Sequence, residues 1–342
     1  MTQLLDFTSS GIYCPLADVY IDPWKPVDRA IITHAHADHA RIGNRYYLAH
    51  HDTVPLLKYS LGQYINVQGL AYGEELIMNG VKISLHPSGH VVGAAQVRLE
   101  YKGEVWVVTG DFKLENDGIS TAYEPIKCHV VVSDSTYGLP IFKWEAQQKV
   151  FNDINQWWLN NQREGKTSVL IGYALGKAQR LIHHLDKDIG PIYAHQTIKN
   201  VNKVLRNQGI LIPSVNTLEY SANIDYQGSI VLAPSIILHS SVIKKMEPYS
   251  TAFVSGWMSL RQLKRSRNID KGFILSDHAD WEQLKTAVSN SGAHRIFTTS
   301  NGYSSSFYRW LQENGYEVTE VANKYLGEIP EIEDGVTDIQ PY

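Results

Sequence analysis

Three histidines and an aspartate stand within six residues of this 342-residue chain, in the order His34, His36, Asp38, His39, spaced by alanines and preceded by the apolar run Ala30-Ile31-Ile32. Imidazole nitrogens and carboxylate oxygens are the donors that hold zinc, with manganese as a substitute where carboxylate and water fill more positions. The apolar run reads as a short buried strand, so the donors are presented at its tip. His34 and His36 lie two apart and point the same way in an extended segment, so they can share one ion. Asp38 and His39 are adjacent, point apart and can reach a second ion. The spacing therefore predicts a centre for one or two ions, with Asp38 also a candidate catalytic group.

The rest of the chain must supply elements that bring further donors to the same place. Residues 81–85 read as a strand entered through Asn79-Gly80, a strong hairpin signal, and running into His86-Pro87-Ser88-Gly89-His90. His90 follows its strand as the first cluster follows its own and is the third ligand; His86 packs or orients. A second hairpin, 96–100 and 104–109 around Lys102-Gly103, ends in Gly110-Asp111-Phe112, which puts the Asp111 carboxylate where it can bridge two ions. Val130-Val131-Val132-Ser133 then ends in Asp134. Strands are also expected at 19–21 and 46–49, with a helix opening at Thr53 and carrying Pro55 near its start. Strand tips converging on one site are the pattern of an α/β sandwich.

Composition sets few limits. Hydrophobic residues at 43% and charged residues at 19% are those of a globular chain, and no run approaches the roughly 20 apolar residues of a membrane span. Residues 1–10 carry no basic region followed by an apolar core, so a cytoplasmic protein without a membrane partner is expected. Cys14 and Cys128 form no C-x-x-C pair and read as buried thiols. The net charge of −4 excludes no partner, because several carboxylates would be metal ligands and bound ions would reverse the local sign.

In order, H-x-H-x-D-H, S-G-H at 88–90, G-D-F at 110–112 and D-S-T-Y-G at 134–138 resemble the metallo-β-lactamase fold in its nuclease branch, the one carrying a β-CASP domain. Residues 171–180 (Ile-Gly-Tyr-Ala-Leu-Gly-Lys-Ala-Gln-Arg) resemble the opening of that insert. Val254-Ser255-Gly256-Trp257-Met258 and Leu275-Ser276-Asp277-His278-Ala279-Asp280-Trp281 resemble its exit and the return. The closest likeness is to bacterial ligase-associated DNA damage response exonucleases, with cleavage and polyadenylation endonucleases and Artemis-type nucleases as wider relatives.

The resemblance implies an αββα sandwich divided as 1–144 and 268–327, a small α/β β-CASP insert at 145–267, and an acidic tail at 328–342. It assigns His34, His36 and His90 to one zinc ion, Asp38 and His39 to the other, and Asp111 to both. Asp134 and His278 fit a pair that delivers a proton to a leaving oxygen. One departure stands out: RNA-processing relatives end the final strand in a histidine ligand, where this chain has Asn301. An amide is a poor zinc ligand, so Asn301 is a weak metal or substrate contact; the change favours DNA over RNA and also fits a slow or inactive enzyme.

Within the insert, helices are expected at 146–158 and 177–185 and strands at 168–173, 191–194 and 230–233, a small parallel layer. Lys177 and Arg180 lie in the first turn of a helix after Gly176, which can hold a phosphate or be a solvated helix end. Arg261, Lys264, Arg265, Arg267 and Lys271 form the densest basic run, a nucleic-acid contact given the implied enzyme class. The expected partner is DNA, single-stranded or at ends, with RNA as the alternative, and the resemblance adds a DNA ligase and a helicase. A small-molecule hydrolase fits less well, because a small substrate needs no second domain. A catalytically silent nucleic-acid-binding module is the remaining reading.

Overall fold

The computed structural model describes residues 3–220, 224–260, 269–300 and 304–322. These fall into two compact units, one made by the chain up to Lys143 together with residues from Asp277 onward, the other by Trp144–Ser276.

The first unit holds two sheets. One runs, edge to edge, Asp6–Thr8, Gly11–Cys14, Val19–Ile21, Arg29–Ile31, Tyr46–His50 and Val67–Leu70; the other Glu317–Ala322, Arg295–Ser300, Val130–Asp134, Glu104–Val108, Ala95–Tyr101, Val81–Pro87 and Glu75–Met78. Alternation along the inner strands decides the layering, since successive side chains point to opposite faces. Trp106, Val108, Val130, Val132 and Phe297 share one core with Ile12, Val19, Ile21, Ile31 and Leu48 of the first sheet. Their neighbours Val105, Val107, Val131 and Ile296 share a second core with Leu284, Val288, Phe307 and Leu311 on the helices Trp281–Ser291 and Ser305–Glu313. Strands buried on both faces read as unbroken apolar runs, which is why Val130-Val131-Val132 shows no polar alternation. The helix Thr53–Leu61 buries Leu56 and Leu57 and packs on the first sheet at Tyr46–His50 and Val67–Leu70. The layers are therefore helix, sheet, sheet, helices.

Local chemistry fixes the joints. Asn79 and Gly80 both take positive φ, 50° and 85°, and join Met78 to Val81 in a two-residue hairpin. Asp280 caps the helix Trp281–Ser291 by accepting from the Gln283 amide, and Gly292 ends it in the left-handed region at φ 69°. Loss of such a cap costs about 1 kcal/mol. The strands Glu104–Val108, Val130–Asp134 and Arg295–Ser300 are mutually parallel, so their carboxyl ends open on one side. That is the side where sheets of this kind place ligands.

The second unit is built on a six-stranded sheet in the order Asn216–Thr217, Ile192–Ala194, Ile230–Ala233, Thr167–Ile171, Tyr249–Val254 and Lys271–Phe273, every pairing parallel. The helices Gln147–Arg163 and Lys177–His184 stand where the sequence predicts them, the first running one turn further. The expected exit at residue 267 is too early. Lys271–Phe273 pairs with Tyr249–Val254 as the edge of this sheet, so the insert sheet is complete only at residue 273. The Gly-Trp-Met motif forms a short 3-10 turn, Gly256–Ser259, inside the unit. Among the described residues no helix is long and apolar enough to cross a membrane.

Candidate metal centre

The strand Arg29–Ile31 delivers the chain into a turn in which the amides of His39 and Ala40 both bond to the His36 carbonyl. That turn folds His34, His36 and His39 together at the end of the strand; all three are buried. His90 arrives on the loop after Val81–Pro87, Asp111 after Glu104–Val108, and Asp134 closes its own strand.

These side chains converge on one carboxylate oxygen. Asp111 Oδ2 lies 3.4 Å from Nε2 of His34, 3.5 Å from that of His39, 3.7 Å from that of His90 and 3.8 Å from that of His278. His90 Nε2 is 3.1 Å from His36 Nδ1, and Asp38 Oδ2 is 3.7 Å from His39 Nε2. Two overlapping groups of donors result, each with one atom per residue inside 4.8 Å: His34, His36, His90 and Asp111, then Asp111, Asp134 and His278.

Four of the five imidazoles are held by Nδ1. Asp22 receives the Thr33 amide at 2.8 Å, the Thr33 hydroxyl at 2.5 Å and His39 Nδ1 at 2.7 Å. Because the Thr33 hydroxyl donates to Asp22, its oxygen is left to accept from His34 Nδ1 at 3.0 Å. One carboxylate thereby orients two rings. His90 Nδ1 donates to the Asp277 carbonyl at 2.7 Å, and His278 Nδ1 lies 3.1 Å from Asp134 Oδ2. The other oxygen of Asp134 accepts from the Thr136 amide at 2.8 Å and hydroxyl at 2.6 Å. Anchored Nδ1 with inward Nε2 is the arrangement of metal-ligating histidines.

The electrostatics also suit a cation. Burial, reinforced by neighbouring imidazoles, holds His34 and His90 well below the usual imidazole range, so both are neutral and able to ligate. Burial would lower His39 too, but Asp111, Asp38 and Asp22 outweigh it and lift the ring to about 10. Burial raises Asp111 to about 6 against the opposing pull of His39 and His278. Burial pushes Asp134 upward, yet the bonds and charge of His278 and the two bonds from Thr136 more than offset it, leaving the carboxyl below its ordinary value. His34 Nε2, fully buried, makes no hydrogen bond. A buried donor atom left that way costs about 1–3 kcal/mol unless something else takes its lone pair. A divalent ion does so, and the residues present fit one.

Comparison with known proteins agrees with this geometry. Residues 21–161 match the Metallo-beta-lactamase superfamily model. That stretch is similar to a metallo-β-lactamase domain. A protein of Opitutus terrae named "Probable DNA ligase" is 27% identical over 336 residues, which is 97% of this chain and 32% of that protein. Cleavage and polyadenylation specificity factor subunit 3 of Dictyostelium discoideum is 25% identical across 47% of the chain and 25% of its own length. An RNase J-like protein of Methanocaldococcus jannaschii is 27% identical across 46% of the chain and 43% of its own. The chain thus spans less than half the length of each of these relatives. A crystal structure of a protein of unknown function from Enterococcus faecalis shares the fold, with a TM-score of 0.59 over 88% of this chain and 81% of that one at 13% identity. An α/β unit is inserted between the two segments of the first unit, as the resemblance to β-CASP nucleases implies.

The fold brings together His34, His36, Asp38, His39, His90, Asp111, Asp134 and His278. It does not support the phosphate site at Lys177 and Arg180. Both side chains are 1% exposed. Within its unit Arg180 donates to the Ser276 carbonyl at 2.8 Å and to Gln147 at 3.0 Å, Lys177 Nζ sits 5.0 Å from the Tyr173 ring centre, and the Gly176 amide is taken by Gln179. These cations hold the insert together. Arg261, Lys264, Arg265, Arg267, Asn301 and the tail at 328–342 lie outside the described residues. The two ring nitrogens of His86 are taken by Ser84 at 3.0 Å and Glu124 at 3.1 Å. Sequence reasoning missed Asp22, whose carboxylate governs two ligands.

Proposed function

We propose that this protein is a metal-dependent nuclease that hydrolyses DNA phosphodiester bonds, an exonuclease acting in DNA repair. The observation that carries the nuclease reading is the pair of donor groups sharing Asp111. His34, His36 and His90 with Asp111 would hold one ion, Asp38 and His39 with Asp111 the other, zinc being the metal best matched to imidazole-rich donors. When bound, such ions supply Lewis-acid polarisation of phosphoryl oxygens and a nucleophilic water at neutral pH.

The chain's own residues do the rest. Asp22 and Thr33 fix the rings of His39 and His34, and the Asp277 carbonyl fixes that of His90, so the ligands need no rearrangement. Asp134, kept ionised by His278 and by the two bonds from Thr136, stabilises the charged form of His278, which gives its proton to the leaving oxygen. DNA rather than RNA is favoured because the relative aligned along 97% of the chain is named for DNA ligase, whereas those named for RNA align over less than half. A ligase is accordingly the partner proposed.

The test is degradation of end-labelled single-stranded DNA and a matched RNA with added zinc or manganese, comparing wild type with His36→Ala and His278→Ala. Stepwise loss of DNA, abolished by both changes, is the expected result. Preferential loss of RNA moves the assignment to an RNA-processing nuclease. Intact DNA and RNA at every metal concentration leave only a binding module.

A further inference from the structure

We infer that His278 is itself a ligand of the second ion in the substrate-free protein. The inference rests on the two-ion reading above and adds a donor to it. Two ligands that share a tetrahedral zinc at about 2.0–2.1 Å stand roughly 3.3–3.5 Å apart. His278 Nε2, 3.8 Å from Asp111 Oδ2, is within 0.1 Å of the separation that His90 Nε2 shows at 3.7 Å. No distance around Asp111 sets His278 apart from the metal ligands.

Its support is that of a ligand as well. His39 has Nδ1 on the carboxylate of Asp22 and Nε2 toward Asp111; His278 has Nδ1 on the carboxylate of Asp134 and Nε2 toward Asp111. Both rings are buried, at 2% exposure each. A carboxylate behind a ring fixes its tautomer and raises the basicity of the inner nitrogen.

Counting donors assigns the ion. His34, His36, His90 and Asp111 already form one group of four, a full tetrahedral set. Asp38, His39 and Asp111 are three, and His278 stands with Asp111 and Asp134 in the other donor group, which shares only Asp111 with the first. Joined through that shared carboxylate, His278 would make the second set four. The ring fills one role at a time: ligand without substrate and, once released from the ion and protonated at Nε2 by solvent water, proton donor to a leaving oxygen.

Metal binding tests this without reference to cleavage, so an inactive or RNA-directed protein gives the same answer. The full-length protein, stripped with chelator, is titrated with Co2+ and followed by calorimetry and visible absorption, alongside His278→Ala, Asp134→Asn and, as the second-ion control, His39→Ala. Wild type is expected to take two ions. His278→Ala should keep the tighter one and bind the other at least 100-fold more weakly, like His39→Ala, and Asp134→Asn should weaken it about 10–100-fold. Two ions held by His278→Ala with wild-type affinity, or a single ion in the wild type, overturns the inference. Should a variant misfold, proton NMR of the cobalt-loaded wild type decides. A contact-shifted Nδ1–H from His278 supports ligation, and its absence refutes it.

Discussion

Asp22 Oδ2 sits 2.7 Å from Nδ1 of His39 while its partner oxygen takes the amide of Thr33. The carboxylate is 2% exposed and lies behind the ligands rather than among them. Asp22→Asn removes the charge that orients His39 with little change of size. The second ion should then bind about 10–100-fold more weakly, the usual cost of losing such an anchor. Calorimetric titration of the two proteins with Zn2+ would show it, and equal affinities would reduce Asp22 to a packing role.

Metal uptake should be pH-dependent, with a definite sign. The metal-free fold lifts His39 from 6.5 to about 10. A raised imidazole stabilises the metal-free fold fully below about 6.5, and this contribution is lost as pH rises through 10. An incoming ion must expel the same proton, so affinity rises with pH across that window, by up to about tenfold per unit for one proton. Calorimetry in buffers of different ionisation heat counts the protons released. A count of zero at pH 7.5 would remove His39 from the ligand set.

Gly110 is the hinge that aims Asp111. Its φ is +55°, and a Cβ there would meet Thr33 Cβ and Oγ1 at 2.8 Å. Gly110→Ala therefore strains the backbone and presses on the threonine that links Asp22 to His34. A loss of roughly 2–4 kcal/mol in urea unfolding is expected from the left-handed penalty and overpacking together, with weaker metal binding in whatever folds. Unchanged stability would mean that the loop shifts freely.

The thiols should be inert in the native protein. Cys14 and Cys128 are buried, and burial raises both, Cys128 to about 11. At pH 8 little thiolate forms, and the thiolate is the reactive species. A thiol reagent should find neither cysteine until denaturant is added and both afterwards. Rapid labelling of the folded protein would contradict the packing around Cys128.

What could be read from the sequence follows from how each group announces itself. Asp111 and Asp134 end apolar runs, and a carboxylate at the tip of a buried strand is conspicuous. Asp22 precedes Pro23 and looks like a turn residue; its role depends on a left-handed φ of 44° and on Thr33, eleven positions away. The Asp277 carbonyl that orients His90 is a backbone atom and leaves no mark in residue identity. Lys177 and Arg180 misled because a basic first turn after glycine has the same sequence whether its charges meet solvent or are buried. The edge strand Lys271–Phe273 has three residues, too few for periodicity to register.

His278 and Asp134 touch across 144 positions of chain, and between them the whole insert must be made. A ribosome adding about 5–20 residues per second needs on the order of ten seconds to cover that stretch. During that interval the nascent chain carries His34, His36, His90 and Asp111 but lacks both the Asp277 carbonyl that fixes His90 and the ring that faces Asp134. Under the proposed reading, the unfinished chain cannot cut, and the order of synthesis itself keeps the nuclease silent until its second domain exists.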